Sequence, residues 1–425
     1  MIRRARGGTL VVGGGFGGAY VAKLVGKRGA TIVSPEGSML YTPMLPEVAA
    51  GAIEPRHVAV PLRMMCKHAD LVLGRAVGID EESKRVAVET PHGNGEIEYD
   101  NVVIALGAVP RMLPIPGLAE HGLGFKNLAD AIYLRNHILG ELDAADADPE
   151  NAERHLTFVF VGAGYAGVEA LAELTDLVRD VMRHYPALKD KQQRWVLVDA
   201  ADRILGEVPH QLGEYAAKHL RKRGVDIRLS TRLESVEGDA VTLSDGGRFE
   251  THTLVWTAGV KSHPLVEELG LPLDDRGRIK VDSSLRVEGR SNVWALGDCA
   301  GVPNERTPGQ FDPPTCQHAL RQARRLAKNL RGDEQAYGYK MIGQGATLGR
   351  DKGIANFMGR FNFRGFTGSA FTRMYHLHQL PLPSRRLRVV ADAFLSSFFG
   401  RDMADLGPLE RSVGASATAR ETIAA

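Results

Sequence analysis

Two stretches of this chain carry glycines at a spacing that can hold phosphate. Thr9–Gly18 reads TLVVGGGFGG and Phe158–Gly167 reads FVFVGAGYAG, so Gly13, Gly15 and Gly18 return as Gly162, Gly164 and Gly167 in the pattern G-x-G-x-x-G. In each stretch a short apolar run reads as a buried strand, and a helix opens after the glycines. The three glycines serve a tight turn, close backbone approach to a pyrophosphate, and close packing of helix on strand. The helix start adds free N–H groups and the positive end of a dipole. One such motif is weak, because glycine turns also let backbones pack. The second occurrence changes this. Gly13 and Gly162 are 149 residues apart, while Gly107 in Val102–Gly107 (VVIALG) and Gly259 in Leu254–Gly259 (LVWTAG) are 152 apart. Two features repeating at nearly one offset predict two related nucleotide-binding modules, and Ala105, Gly107, Ala258 and Gly259 join the candidate cofactor contacts.

Such a module is expected to end its second strand on an acid that holds the adenosine ribose. Asp199 fills that place after Trp195–Val198, 32 residues beyond Gly167, a distance that a long helix and the basic loop Lys189–Arg194 account for. In the first module Ser34 ends the strand Ala30–Val33 and Glu36 follows two residues later, so both are candidates there. Thr42 and Pro43 lie in a proline-rich turn that can run along a cofactor; the bland alternative is a plain loop. Leu71–Val77 and Arg85–Thr90 alternate like strands of an antiparallel meander, and Val77 is taken as a further cofactor contact. The strand Asn292–Leu296 runs into Gly297-Asp298, whose carboxylate can bind a polyol or ribose hydroxyl or cap the next helix. That helix, Thr315–Leu330, follows Pro313-Pro314 and points its N-terminus toward an electron-rich ring edge. Lys126–Leu139 reads as an amphipathic helix and Gly140–Arg154 as a solvated linker or helix end.

These elements must be positioned by more than one core, since 425 residues predict two or three domains. A hydrophobic fraction of 44% with 24% charged residues describes a folded globular chain, and a net charge of +2 makes no case for nucleic acid. Cys66, Cys299 and Cys316 are too widely spaced for a disulfide framework or a zinc site. His376-x-His378 lacks a carboxylate or cysteine partner, so no metal is expected. The basic start MIRRARGG leads into a strand, not a signal-peptide core, and no run of 18 apolar residues occurs. A cytoplasmic protein is expected, free or peripheral on the inner face of the cell membrane.

In order, GGGFGG, KNLADAIYLRN, VGAGYAGVE, WTAGV, NVWALGDCA, PPTCQHALRQARRLAKN and YGYKMIGQGATLGR resemble the type II, non-proton-pumping NADH dehydrogenases among the two-dinucleotide flavoproteins. The resemblance spans roughly residues 9 to 350. It implies an α/β chain with two Rossmann-like domains for FAD and NADH plus a small C-terminal segment. Gly13, Gly15 and Gly18 would then cradle the FAD pyrophosphate, Thr42 and Pro43 flank the flavin, and Asp298 hold the ribityl chain. Gly162, Gly164 and Gly167 would meet the NADH pyrophosphate and Asp199 its ribose. Glu169 matches the glutamate the family places near nicotinamide and flavin, although an acid in the first turn also complements the helix dipole.

Three departures stand out. Ser34 replaces the usual ribose acid, and the family's C-terminal tryptophans are missing. The quinone pattern A-Q-x-x-x-Q-Q reads Cys316-Gln317-His318-Ala319-Leu320-Arg321-Gln322, keeping Gln317 and Gln322 but placing Arg321, which cannot accept a hydrogen bond, where a glutamine is expected. The implied reaction is hydride transfer from NADH to tightly bound FAD and onward transfer to a quinone-type acceptor, with Glu169 and Gln317 as catalytic candidates and Gln317, Arg321 and Gln322 as quinone contacts. A soluble NAD(P)H-dependent reductase with another acceptor, a sulfide:quinone oxidoreductase and a flavin-binding redox sensor are the rivals. Arg203 keeps NADPH open. The absence of a cysteine pair after the first turn argues against disulfide reductases.

The expected division is 1–140 for the first part of the FAD domain, 150–275 for the NADH domain and 276–335 for the FAD domain's second part. Residues 336–411 form a C-terminal interface or membrane-associating region, and 412–425 a disordered tail. Within that region Ser384–Gly400 sets Leu387, Val390, Ala391, Phe394, Leu395 and Phe398 at helical spacing behind Arg385, Arg386 and Arg388. Such a stripe reads as an interfacial helix, a helix docked on the protein, or a homodimer contact.

Overall fold

A computed structural model describes residues 2–404, so the expected tail 412–425 lies outside the described residues. The apolar run Leu10–Val12 is buried because its strand, Thr9–Val12, is the middle one of five parallel strands. Their order is Val293–Ala295, Asn101–Ile104, Thr9–Val12, Thr31–Ser34 and Asp70–Leu73. Strands covered on both faces read as continuous apolar runs. Helix α1 (Phe16–Val25) leaves through the first glycine turn. Beside this sheet, Arg75–Asp80, Arg85–Thr90 and Gly93–Glu98 form an antiparallel meander with Ile2–Arg4 on its edge.

The alternating run Leu71–Val77 is therefore two strands in two sheets. The chain turns between them at Gly74, where a Cβ would stand 2.5 Å from the Glu89 carbonyl oxygen. Period-2 alternation is the same in either sheet, so it cannot reveal the corner. Helix α2 (Leu128–Ala147) opens with a reciprocal cap between Asn127 and Asp130 and runs past Gly140. Of the two readings of Gly140–Arg154, solvated linker or helix end, the second holds as far as Ala147, because Leu142 and Ala145 are buried on the same face as Leu134 and Ile138.

The second module repeats the plan. Five parallel strands lie in the order Leu123–Gly124, Thr253–Trp256, Thr157–Val161, Arg194–Val198 and Val225–Arg228. Helix α3 (Tyr165–Val181) leaves through the second glycine turn, and a three-stranded meander follows from Leu233 to Glu250. The chain then returns to the first sheet through Val293–Ala295 and helix α4 (Cys316–Asn329), which packs on α1. The segments after Gly107 and Gly259 pair with each other, Ala108–Pro110 antiparallel to Val260–Ser262, so the repeated turns meet where the modules join.

The C-terminal segment builds an antiparallel sheet from Gly343–Thr347, Gly353–Phe357 and Phe361–Gly365, covered by helix α5 (Phe366–Gln379). Helix α6 (Pro383–Phe399) follows, with Val389 its one buried residue. Asp392 holds it to the body through His57 Nδ1 at 2.5 Å, and Arg385 donates to the Arg56 carbonyl.

One face of α3 carries Glu169, Glu173, Asp176 and Asp180, spaced at helical intervals and directed at this segment. Glu173 is fully buried between Arg373 at 2.7 Å and Arg401, while Asp176 accepts from Arg223 at 2.6 Å and from the Arg350 N–H at 2.7 Å. Burial alone would raise the Glu173 carboxyl, but Arg401 and Arg373 outweigh it and hold it below its usual range. Truncating one partner strands the other as an unpaired buried charge. Arg401→Ala is expected to cost about 3–5 kcal/mol in urea unfolding. Arg179→Ala, which removes a mostly exposed partner of Asp176, should cost about 1 kcal/mol or less.

Candidate active site

The first cleft opens at the carboxyl ends of the first sheet and encloses about 360 Å³. Gly13, at φ +114°, leaves no room for a side chain: a Cβ would stand 2.3 Å from the Ala105 carbonyl oxygen. At Gly18 a Cβ would meet the Gly13 carbonyl oxygen at 2.0 Å, whereas nothing lies within 4 Å of one at Gly15. The turn thus closes on itself at two glycines and is open at the third, the shape that admits a pyrophosphate against backbone N–H groups. Ser34, Glu36, Thr42, Ala105, Gly107, Gly297, Asp298 and Cys316 line the same cleft.

Ser34 is buried against the turn, its Oγ 2.3 Å from where a Cβ of Gly14 would stand, so it is position 14 that must stay without a side chain. Glu36 is exposed and lines the cleft, the carboxylate on hand at this strand end. Pro43 follows Thr42 half-buried in the turn Thr42–Met44. Val77 differs from its expected role. It is exposed on the meander, and Gly74, Arg75 and Ala76 line the cleft instead, because the corner at Gly74 turns the next strand away. Burial raises the carboxyl of Asp298. The Cys316 thiol at the start of α4 is pushed up to about 12, chiefly by burial, and Cys66 donates to the Ala19 carbonyl inside the core.

The second turn has the same geometry. Gly162 sits at φ +110° with Thr257 backbone atoms 2.7 Å from a Cβ position, a Cβ on Gly167 would meet the Gly162 carbonyl oxygen at 1.9 Å, and Gly164 is open. Asp199 clamps this turn, accepting from the N–H groups of Ala163 at 2.5 Å and Ala201 at 2.8 Å. Ala258 and Gly259 follow the neighbouring strand Thr253–Trp256. Arg203 spends its guanidinium on the carbonyls of Gly206 and Val208.

From that turn α3 leads to Glu169, which is buried and accepts from the Thr347 N–H at 2.7 Å and hydroxyl at 3.2 Å. Burial, and then the charge of Glu47, push its carboxyl up to about 8; burial pushes Glu47 up to about 7 against the pull of Arg373. Glu47 Oε2 is buried without a hydrogen-bond partner. It faces a cavity of about 530 Å³ lined also by Met44, Ile53, Arg373, His376, Leu377 and Val389. His376 approaches the buried Tyr41 hydroxyl at 3.4 Å, and burial brings its imidazole down to about 4, so it is neutral.

Of the three expected quinone contacts, Gln317 and Arg321 both meet Tyr339, while Gln322 lies apart. Gln317 lines a small pocket with Tyr375 and His376, donating to the Gly343 carbonyl and accepting from the Tyr339 hydroxyl. Gln322 is buried elsewhere: its Oε1 accepts from the Gly297 N–H and its Nε2 donates to Asp312, both at 2.8 Å, so it braces the turn before Asp298. Arg321 lies over the Tyr339 ring, 5.2 Å from its centroid. Glu47, Tyr41 and Arg373 went unnoticed in the sequence, where no motif marks them; His376 was weighed only as part of His376-x-His378, and Thr347 was seen only within the stretch YGYKMIGQGATLGR. The helical spacing of four acids on α3 was the one available signal.

Two outcomes follow from this geometry. Gly15→Ala has space and an ordinary φ of −73°, so it should keep the wild-type thermal midpoint but purify with less flavin, whereas Gly18→Ala should unfold several degrees lower. The raised Glu169 carboxyl binds its proton more tightly folded than unfolded. Its stabilising contribution is present below pH 4.5 and is lost as pH rises through about 8. Urea midpoints measured from pH 5 to 8.5 should therefore fall less steeply in Glu169→Gln than in the wild type.

Residues 8–323 match the family described as pyridine nucleotide-disulphide oxidoreductase. A probable NADH dehydrogenase of Dictyostelium discoideum is 31% identical over 412 residues, covering 93% of this chain and 90% of that one. A type II NADH:quinone oxidoreductase of Mycobacterium tuberculosis is 30% identical over 415 residues, covering 92% and 87%. The structure of NDH2 from Plasmodium falciparum in complex with NADH superposes with a TM-score of 0.87 over 94% of this chain and 100% of that one, at 17% identity, a likeness of fold. The chain belongs to the pyridine nucleotide-disulphide oxidoreductase family and, within it, to the type II NADH dehydrogenases.

Proposed function

We propose that this protein is an FAD-dependent NADH:quinone oxidoreductase that moves hydride from NADH to flavin and electrons from flavin to a quinone. The observation that carries the reading is the pair of equivalent G-x-G-x-x-G turns, one per module, in modules joined where Ala108–Pro110, after Gly107, pairs with Val260–Ser262, after Gly259. Two dinucleotides held this way bring one redox ring from each side. The flavin, when bound, supplies hydride acceptance and electron release.

The chain's own residues bind and orient. Gly13, Gly15 and Gly18 take the FAD pyrophosphate, Glu36 with Ser34 its ribose, and Thr42, Ala105, Gly107, Gly297 and Asp298 the rest of the molecule. The N-terminus of α4 presents free N–H groups and its dipole to negative charge in the same cleft. Gly162, Gly164, Gly167, Asp199, Ala258 and Gly259 serve NADH. Asp199 at the strand end, with Arg203 turned onto the carbonyls of Gly206 and Val208, favours NADH over NADPH. Glu169, with a carboxyl near 8, holds a proton at neutral pH and can exchange it in a site shielded from water.

The cavity between Glu47, Arg373, His376 and the apolar side chains of α5 and α6 suits a quinone ring. Gln317, in the adjoining pocket that shares His376, remains on that path. A sulfide-oxidising reading finds little support, since Cys66 is tied to Ala19 inside the core. No helix among the described residues is long and apolar enough to cross a membrane. Leu387, Phe394, Phe398 and Phe399 are instead exposed along α6 behind Arg385, Arg386 and Arg388, the composition of an interfacial helix on an anionic leaflet. Peripheral attachment to the inner face of the cell membrane is the localisation this supports.

Anaerobic mixing with NADH should bleach the flavin, and a short-chain quinone should restore it within the turnover time. Glu169→Gln should slow quinone-dependent turnover by about 10²-fold while flavin content is kept. Bleaching without reoxidation by quinone would move the acceptor to another class, and no bleaching by NADH would sink the enzyme reading. Phe394→Asp with Phe398→Asp should release the protein from anionic vesicles. A change in sedimentation mass without a change in vesicle binding would assign the α6 stripe to a homodimer.

A further inference from the structure

Away from both clefts, four side chains from three separate segments converge at the far edge of the second module. His137 and Glu141 stand one turn apart on α2, His155 precedes the strand Thr157–Val161, and His252 precedes Thr253–Trp256. His155 Nδ1 lies 2.7 Å and His252 Nδ1 2.9 Å from the same carboxylate oxygen, Glu141 Oε2. Glu141, His155 and His252 bring their ligand atoms within 4.8 Å of one another. The side chains are largely buried, between 12% and 24% exposed. These strands carry Gly162 and Ala258-Gly259 at their other ends, so about 15 Å separates this cluster from the dinucleotide turn.

We propose that Glu141, His155 and His252 form a binding site for a zinc-type divalent cation. Two imidazoles and a carboxylate, with a fourth position for water, make a donor set suited to Zn²⁺. Ligand atoms around tetrahedral Zn²⁺ at about 2.0–2.1 Å stand roughly 3.3 Å apart, so each histidine need move from Glu141 by only about half an ångström from its hydrogen-bonded spacing. The surroundings already have the outer arrangement of such sites, in which a metal-bound imidazole gives its second nitrogen to a protein oxygen. His252 Nε2 faces Asp239 Oδ2 at 3.3 Å, and the neighbouring His137 sets its Nε2 3.0 Å from Thr253 Oγ1. The sequence offered no ligand spacing here, because 14 residues separate Glu141 from His155 and 111 separate it from His252. A cation at this point ties α2, which bridges the two modules, to the first turns of two strands of the NADH-side sheet.

The test uses the full-length flavin-loaded protein, stripped with a chelator and then titrated with Zn²⁺ against a chromophoric competitor. One equivalent per chain and a higher thermal midpoint with Zn²⁺ are expected, both unchanged in His184→Asn, which alters an exposed histidine, and both lost in His155→Asn/His252→Asn. Co²⁺ should give visible ligand-field bands of a four-coordinate ion in the wild type alone. Substoichiometric zinc in the wild type, or zinc retained by the double variant with its flavin bound, overturns the proposal. If the double variant fails to keep flavin, Glu141→Gln and the wild-type titration decide: a wild type whose midpoint ignores Zn²⁺ leaves the cluster as a hydrogen-bonded hub and overturns the site. NADH oxidation is not the readout, so failure here is separable from failure of the proposed reaction.

Discussion

The buried pairing of Glu173 with Arg401 and Arg373 holds together parts of the molecule that share no continuous sheet. Glu173 belongs to the helix that starts at the second glycine turn, Arg373 to the helix covering the C-terminal sheet, and Arg401 to the segment beyond α6. Arg401 also donates to the Ala50 carbonyl, which brings in the first module. A full charge without solvent is tolerable only when its partners are held close. The pairing therefore fixes the relative positions of both modules and the C-terminal segment more tightly than apolar contact would.

That same constraint shapes the chemistry next to it. Glu169 and Glu47 lie beside Glu173 but receive fewer cationic contacts, so burial dominates and their carboxyls rise while Glu173 stays ionised. Three nearby acids thus take different protonation states from environment alone. Arg373 serves both sides, at 2.7 Å from Glu173 and 3.6 Å from Glu47, and its charge helps keep His376 neutral. The cavity between the modules and α6 is consequently lined by charged groups on one side, Glu47 and Arg373 among them, and by apolar side chains such as Met44, Leu377 and Val389 on the other.

The departures from the family pattern gain physical meanings. Ser34 is buried against the glycine turn, and Glu36, two residues further along, is exposed at the cleft and is the carboxylate at this strand end. Gln322 looked like a substrate contact, yet both ends of its amide are committed to Gly297 and Asp312, which makes it a brace for the Asp298 turn. Arg321 rests on an aromatic face, a contact in which a planar cation serves where a glutamine amide would not.

Local chemistry was legible in the residues alone wherever one short segment does the whole job. The two glycine turns, their apolar strands and the start of α4 at Thr315 each depend on neighbours within a few residues, so spacing and residue type determine them. The repeat offset disclosed two modules for the same reason, since it compares local patterns. Tertiary structure alone decided what depends on distant segments meeting: the corner at Gly74 that carries Val77 away from the cleft, the pairing of Gln322, and the cavity edged by Glu47 and His376. It also decided the convergence of Glu141, His155 and His252, which no spacing could announce. Hydrogen bonding and burial act through space, and an acid such as Glu169 acquires its raised carboxyl from burial and the charge of Glu47, 122 residues before it, against the opposing hydrogen bonds of Thr347, 178 residues after it.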